Sequence, residues 1–239
     1  MKKRFIVAAL AIAGAMALSG CGGGSKSSSE PAADSKTAQS EGTKKTDGGK
    51  KILTIQLGPE VETIDPALNS SVDGGNYILF AFDNLLKIDK DGNVVPGLAE
   101  KYEKSDDLLT WTFHLRDGLK WSDGSDFKAE DFVYSWQRMV NPDVASPYAQ
   151  AVLGMVEGYD EAVGKPDANG NTTIDPDPTK LKVEAPDDKT LVVHMAKPVP
   201  YFDKLAAFAS LSPVKKDVVE ANPDGWSIDP KTYISTGPF

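Results

Sequence analysis

Ala99-Glu-Lys-Tyr-Glu-Lys-Ser-Asp-Asp-Leu-Leu-Thr-Trp-Thr-Phe-His-Leu-Arg-Asp-Gly-Leu-Lys-Trp-Ser-Asp-Gly-Ser-Asp-Phe-Lys-Ala-Glu-Asp-Phe-Val-Tyr-Ser-Trp-Gln-Arg138 is the stretch on which the fold turns. Residues 110–115 alternate, with Trp111, Phe113 and Leu115 on one face and Thr110, Thr112 and His114 on the other, as a half-buried strand requires. Arg116-Asp-Gly turns the chain, and Trp121-Ser-Asp-Gly makes a second turn. An amphipathic helix follows, with Phe132, Val133, Trp136, Met139 and Val140 at helical spacing. Lys128 directly precedes it and its side chain is no N-cap acceptor, so Asp126 is the candidate to cap in its place.

Working outward, Leu53-Thr-Ile-Gln-Leu57 alternates as a strand, and Glu62-Thr-Ile-Asp-Pro66 is a turn. Asn69-Ser-Ser-Val-Asp-Gly-Gly75 reads as a polar, flexible loop before the apolar segment 77–86. In α/β architectures ligands sit beyond strand ends, so this loop is a candidate contact surface. Asp89-Lys-Asp-Gly-Asn93 is a hairpin turn between Leu85-Leu-Lys-Ile88 and Val94-Val95. Pro186-Asp-Asp-Lys189 joins Leu181-Lys-Val-Glu184 to Thr190-Leu-Val-Val-His-Met195 in the same manner. Residues 201–211 are apolar and read as helix. Strands and helices mix without a strict βαβ rhythm, so α+β or a split, mixed α/β domain fits best.

The N-terminus carries an address. Lys2-Lys3-Arg4 is a positive region, 5–18 is a fourteen-residue apolar run, and Leu18-Ser19-Gly20-Cys21 closes it with small residues before a cysteine. A bilayer span takes about twenty apolar residues, so 1–20 is a signal peptide. Leu-Ser-Gly-Cys resembles a lipobox, which implies that Cys21 is diacylated and begins the mature chain. Cys21 is the only cysteine, which excludes an internal disulfide and a cysteine-based metal site. From Cys21 to residue 50 almost nothing is apolar, so 21–50 reads as a disordered tether with a reach of roughly 30 Å. Residues 1–20 hold three of the 26 basic residues and none of the 35 acidic ones, leaving the mature chain at net −12. That balance argues against nucleic acid or an anionic lipid surface as the ligand.

Catalytic chemistry finds few bearers. The chain has two histidines, His114 and His194, each on an alternating strand where a solvated or packed imidazole is ordinary. No Gly-x-Ser-x-Gly, His-Glu-x-x-His or Walker motif occurs. Asp167-Ala-Asn-Gly-Asn-Thr-Thr-Ile-Asp175 alternates oxygen ligands but lacks the sixth-position Gly and twelfth-position Glu of an EF-hand, and reads as a polar surface insertion. No cofactor is expected and no enzyme activity.

The ordered string 99–138 resembles the signature segment of the family 5 extracellular solute-binding proteins, and among them the oligopeptide-binding proteins of ABC importers. The resemblance continues through Asn141-Pro-Asp-Val-Ala-Ser-Pro-Tyr148, Lys197-Pro-Val-Pro-Tyr-Phe-Asp-Lys-Leu205 and Ser235-Thr-Gly-Pro-Phe239. It implies a periplasmic-binding-protein-like class: a discontinuous first domain, 51–82 and 215–239, with a second domain, 83–214, inserted. It also implies an N-terminal fragment that stops before the second lobe, where the family's acidic anchor for a peptide amine lies. Carried over residue by residue, Ser70, Ser71 and Val72 offer backbone contacts to a peptide, while Tyr148 and Phe208 line the cleft. Phe208 stands where some relatives carry His, so its contact is apolar. The implied partners are an oligopeptide and a membrane ABC permease. The implied place is the extracytoplasmic membrane face or periplasm, reached only through the lipid anchor, with a full-length monomer. Relatives that bind nickel chelates, haem, oligosaccharides or signalling peptides are the alternatives within the class, and an extracytoplasmic lipoprotein hydrolase is the rival outside it.

Overall fold

The computed structural model describes residues 58, 60–164 and 174–237, together with the backbone of 46–47 and 50–51. The signal peptide, Cys21, most of the tether, the strand expected at 53–57 and nearly all of the 167–175 stretch lie outside the described residues. The chain divides into two compact units, Met1–Thr54 and Ile55–Phe239. In the first, two-residue strands β1 (Thr46–Asp47) and β2 (Lys50–Lys51) pair antiparallel, a departure from a tether without secondary structure.

The second unit is mixed α/β. Its centre is a four-stranded antiparallel sheet in the order β5 (Ala99–Lys104), β6 (Thr110–Leu115), β8 (Thr190–His194), β7 (Val183–Asp187). The alternation of β6 works as expected: Trp111, Phe113 and Leu115 are buried, with Trp111 opposite Val193 and Phe113 opposite Leu191 on β8. The strand β5 was not legible in advance, because Ala-Glu-Lys-Tyr-Glu-Lys carries four charges in six residues. Charge is how sheet edges avoid pairing with other chains, and β5 is an edge.

The helix α2 (Ala129–Val140) lies against β7 and β8 and buries Phe132, Val133, Trp136, Met139 and Val140 in the common core. Its aromatic rings continue those of the sheet. Trp111 meets Phe202 at 5.8 Å, Phe202 meets Trp136 at 6.2 Å and Trp136 meets Phe132 at 6.0 Å, all edge to face. Such pairs prefer this geometry because a ring edge is positive and its face negative. At the helix start the expected Asp126 cap does not form. Asp126 is tied to Lys120, and the cap position is Lys128, whose side chain has no acceptor to offer. Asp131 supplies the missing half by accepting the Lys128 backbone N–H at 2.8 Å. Burial raises the Asp131 pKa, and that hydrogen bond opposes the rise.

Two further expectations are corrected. Residues 69–75 are not a loop: α1 (Val72–Ala81) begins inside them, capped by Ser71, whose Oγ accepts the Gly74 N–H at 3.0 Å. Gly74 and Gly75 lower helix propensity, which hid the start. Residues 201–211 do not form one helix: α5 (Phe202–Leu205) ends within a turn, Phe208 is extended, and a 3-10 turn occupies Ala209–Leu211. Hairpin β3 (Leu86–Ile88) and β4 (Val94–Pro96) forms as expected. Its turn is held by Asp89, whose carboxylate accepts the N–H groups of Asn93 and Asp91; these bonds, that to Asn93 foremost, lower its pKa. The short helices α3 (Ala149–Leu153), α4 (Tyr159–Val163) and α6 (Lys216–Ala221) complete the unit.

One buried polar node joins distant segments. Asp65, 1% exposed, receives both terminal nitrogens of Arg138, at 3.0 and 2.6 Å, and the Trp226 indole N–H at 3.1 Å. Nearby, the Tyr233 hydroxyl donates to the Ile64 carbonyl at 3.0 Å, and burial, with the Asp65 charge, pushes its pKa well up. At the chain's other end of the fold, Thr236 Oγ1 accepts the Asp83 N–H at 2.9 Å and the Gly237 N–H donates to Ala81 at 2.8 Å.

Removing Arg138 leaves the buried Asp65 charge without its counter-ion. Arg138→Met is expected to cost about 3–5 kcal/mol, read as a shift of the urea midpoint at constant slope; a loss below about 1 kcal/mol would refute the role of this node. A milder tie is Lys215 to Asp123, which with the Ser125 hydroxyl and N–H lowers the Asp123 carboxyl to about 2. A depressed carboxyl stabilises the fold above its unfolded value near 3.8 and loses that contribution as pH falls towards about 2. In Lys215→Met the Asp123 carboxyl resonance is expected to titrate at higher pH than in the parent.

Candidate functional site

The helix α1 is the wall from which the site is built. Ser71 is fixed before it by Asn69, whose Nδ2 donates to the Ser71 carbonyl at 2.9 Å and whose Oδ1 accepts the Ser71 N–H at 3.3 Å. Asn69 fits there because Gly74 has no Cβ: one would stand 2.0 Å from Asn69 Oδ1. Three and four residues apart, Val72, Asn76 and Leu79 then share one face of α1.

Opposite stands Phe208. Its extended backbone, φ −82° and ψ 135°, breaks the path between α5 and the 3-10 turn and brings the ring out to 38% exposure. The buried Asn84 holds this break by donating Nδ2 to the Phe208 carbonyl at 3.1 Å. Tyr148 comes from a third place, the residue before α3, where its carbonyl accepts the N–H groups of Ala151 and Val152. The Tyr148 and Phe208 rings meet edge to face at 5.3 Å.

These elements enclose a cavity of about 230 Å³ lined by Ser71, Val72, Leu79, Tyr148, Phe208 and Ser210, with Asn69, Gly75, Asn76, Ala207 and Ala209 between them. Four residues singled out in the sequence, Ser71, Val72, Tyr148 and Phe208, thus meet in one place. Ser70 lies next door, exposed, in a second cavity of about 240 Å³ that shares Asn69 and Ser71 and is otherwise lined by Glu60, Val61, Glu62, Thr63 and Asp73. Val72 is 82% exposed. A larger cavity, about 600 Å³, opens beside Asp65, Tyr77, Asp224 and Ile228 and gathers none of the five. Its size alone carries no chemistry, whereas the smaller cavity has aromatic walls fixed by hydrogen-bonded backbone.

Sequence reasoning missed Leu79 and Ser210, and had Asn69 only as the first residue of the candidate contact loop. The signal for Leu79 was present, since Val72, Asn76 and Leu79 are at helical spacing once Ser71 is read as a cap. Of the two histidines, His114 lies opposite Thr190 and His194 opposite Thr110, at the two ends of the β6–β8 ladder. Among the described residues no group of three or more His, Cys, Asp or Glu is placed to hold a metal ion, and no helix is long and apolar enough to cross a membrane.

Residues 93–239 match the family model of the bacterial extracellular solute-binding proteins, family 5, middle region. The chain belongs to that family. Its members are binding proteins. Over 192 residues the chain is 41% identical to the periplasmic oligopeptide-binding protein OppA of Salmonella typhimurium, covering 80% of this chain and 33% of that protein. It is 36% identical over 241 residues to the oligopeptide-binding protein OppA of Bacillus subtilis, covering 100% of this chain and 40% of that one. The crystal structure of Haemophilus influenzae OppA in complex with the peptide RPPGFSPFR superposes with a TM-score of 0.67 at 37% identity, over 76% of this chain and 34% of that one. The chain therefore spans about a third of the length of these relatives, and the fold is that of the periplasmic binding proteins.

The Tyr148–Phe208 contact is open to measurement. A double-mutant cycle with Tyr148→Ala and Phe208→Ala is expected to give a coupling of about 0.5–1.5 kcal/mol in unfolding free energy; additivity of the two losses would mean that the rings do not act as one wall.

Proposed function

We propose that this chain forms the N-terminal part of a lipid-anchored receptor that captures oligopeptides noncovalently outside the cytoplasm and delivers them to a membrane ABC permease. The observation that carries the reading is the convergence of Ser71, Val72, Tyr148 and Phe208 on one cavity from three separate segments. Relatives named for oligopeptide binding support the ligand class. A receptor for many sequences holds the peptide backbone by strand-like hydrogen bonds and takes side chains into pockets. The exposed stretch Ser70 to Val72 and the aromatic cavity suit those two tasks.

The domain division fits the same reading. Asp65 with Trp226, Ile64 with Tyr233 and Ala81 with Gly237 are hydrogen-bonded pairs between 51–82 and 215–239, which supports taking these as two segments of one domain with 83–214 inserted. Cys21, after a signal peptide of 1–20, supplies the anchor; two acyl chains hold a protein on a membrane where one would not.

Ligands carried by the full-length protein through gentle purification, identified by mass spectrometry, test the ligand class: peptides are expected, and a single non-peptide solute would overturn it. In the same protein Tyr148→Ala is expected to weaken peptide affinity at least tenfold by calorimetry while lowering the melting temperature by only a few degrees. The reverse pattern, a large thermal loss with unchanged affinity, would make Tyr148 a packing residue. Cys21→Ala is expected to move the protein from the membrane to the soluble fraction after salt washing.

A further inference from the structure

Asn84 is 2% exposed and lines none of the cavities described above, yet its amide reaches the backbone of Phe208. Its own place is set without Phe208. The Asn84 carbonyl accepts the Leu98 N–H at 2.7 Å, the Asp83 N–H before it donates to Thr236 Oγ1 at 2.9 Å, and the Leu86 N–H after it donates to the Ala206 carbonyl at 3.2 Å. A side chain on a backbone held at so many points is a rigid arm. The Phe208 carbonyl does not need that arm in order to be paired. It already accepts the Leu211 N–H at 2.9 Å across the 3-10 turn, so no buried acceptor would be orphaned without Asn84. The Nδ2 group, at 3.1 Å, is a second donor to the same oxygen. Two donors arriving from different parts of the chain fix the plane of a peptide group where one leaves it free to pivot. At Phe208 that plane decides where the ring points, because the ring is 38% exposed and the core grips it on one side only.

We propose that Asn84 is a positioning residue for peptide binding: from outside the cavity its amide aims the Phe208 ring, through the Phe208 carbonyl, and so sets affinity without touching the ligand. The inference rests on the peptide-binding reading. Without the second donor the peptide group after Phe208 rocks about the Leu211 bond, the half-exposed ring samples several directions, and its edge-to-face contact with Tyr148 at 5.3 Å is made only part of the time. A ligand then has to order the ring as it binds, a cost that the intact amide has met in advance. The effect runs through one oxygen atom, so it depends on a donor at position 84 and vanishes when the Phe208 ring is removed.

Calorimetry on the full-length mature protein, with trileucine and Ala-Phe-Ala as ligands, tests this in Asn84→Ala and in Asn84→Leu, which removes the donor but keeps most of the volume. Each is expected to raise the Kd about three- to tenfold, the cost of ordering one side chain on binding. In a Phe208→Ala background the same substitutions are expected to leave the Kd within about twofold, since no ring remains to be aimed, while their effect on the melting temperature persists. Asn84→Asp adds a pH readout. Its carboxylate has no proton to give the Phe208 carbonyl, whereas the protonated carboxyl has one, so affinity relative to the parent at the same pH is expected to recover as the pH falls. Parent-like affinity in a folded Asn84→Ala or Asn84→Leu protein, or an equal loss with and without the Phe208 ring, would overturn the positioning role and leave the peptide-receptor reading standing. Loss of the folding transition in both variants would make Asn84 a stability residue and overturn it likewise. Binding of neither tripeptide by the folded parent would overturn the proposal together with the reading on which it rests.

Discussion

The Asp65 carboxylate is out of water on every side, and three parts of the chain are held where they are because each supplies it a donor. Arg138 comes from α2, 73 residues away, and Trp226 from 161 residues away, while the Ala67 N–H comes from the turn of Asp65 itself. Withdrawing a carboxylate and a guanidinium from water costs several kcal/mol each, and the geometry must be excellent to offset it. Here it is: the guanidinium fork is bidentate and the indole takes a further lone pair. Such a node adds less to net stability than its contacts suggest, but it permits only one arrangement of its partners. The Asp65 carbonyl in turn accepts the N–H groups of Leu68 and Asn69. The position of Asn69, and with it the start of α1, follows from the node.

That start governs the cavity. A helix end leaves backbone donors unsatisfied, and Ser71 answers one of them only while Asn69 holds it in place. Both glycines that follow are weak helix formers, yet Gly74 is required, because a side chain there would occupy the place of the Asn69 amide. At Gly75 a Cβ would meet that of Ala209 at 3.7 Å, an ordinary contact, so the space there does not demand glycine. The missing side chain at Gly74, which weakens the helix locally, is what leaves room for Asn69 to hold Ser71.

What periodicity could report, it reported well. The β6 alternation, the two hairpin turns and the buried stripe of α2 depend on neighbours two to four residues apart, and all form. The failures have one cause in common. The edge strand β5 is charged because of its place in the sheet, Gly74 is required in α1 because of Asn69, and the break at Phe208 is held by Asn84, 124 residues away. None of these is visible in a local window. Tyr148 and Phe208 likewise came from resemblance to a family, since a tyrosine and a phenylalanine sixty residues apart carry no periodic signal, and their meeting at 5.3 Å is a property of the fold. Asp65 read as a turn former and proved to be that and an anchor as well.

The cavity walls are stiff for reasons that reach beyond the cavity. Phe208 is fixed through its carbonyl by Asn84, and the 3-10 turn after it is pinned where the Trp136 indole donates to Leu211 at 3.1 Å. The Tyr148 carbonyl caps α3, and α1 is tied at one end to Asn69 and at the other to Gly237. A ligand group entering between them would have little protein to order, which is the largest avoidable cost of binding. On the proposed reading, generality would come from taking the peptide backbone elsewhere than at this wall, at the exposed Ser70 to Val72 stretch where α1 begins.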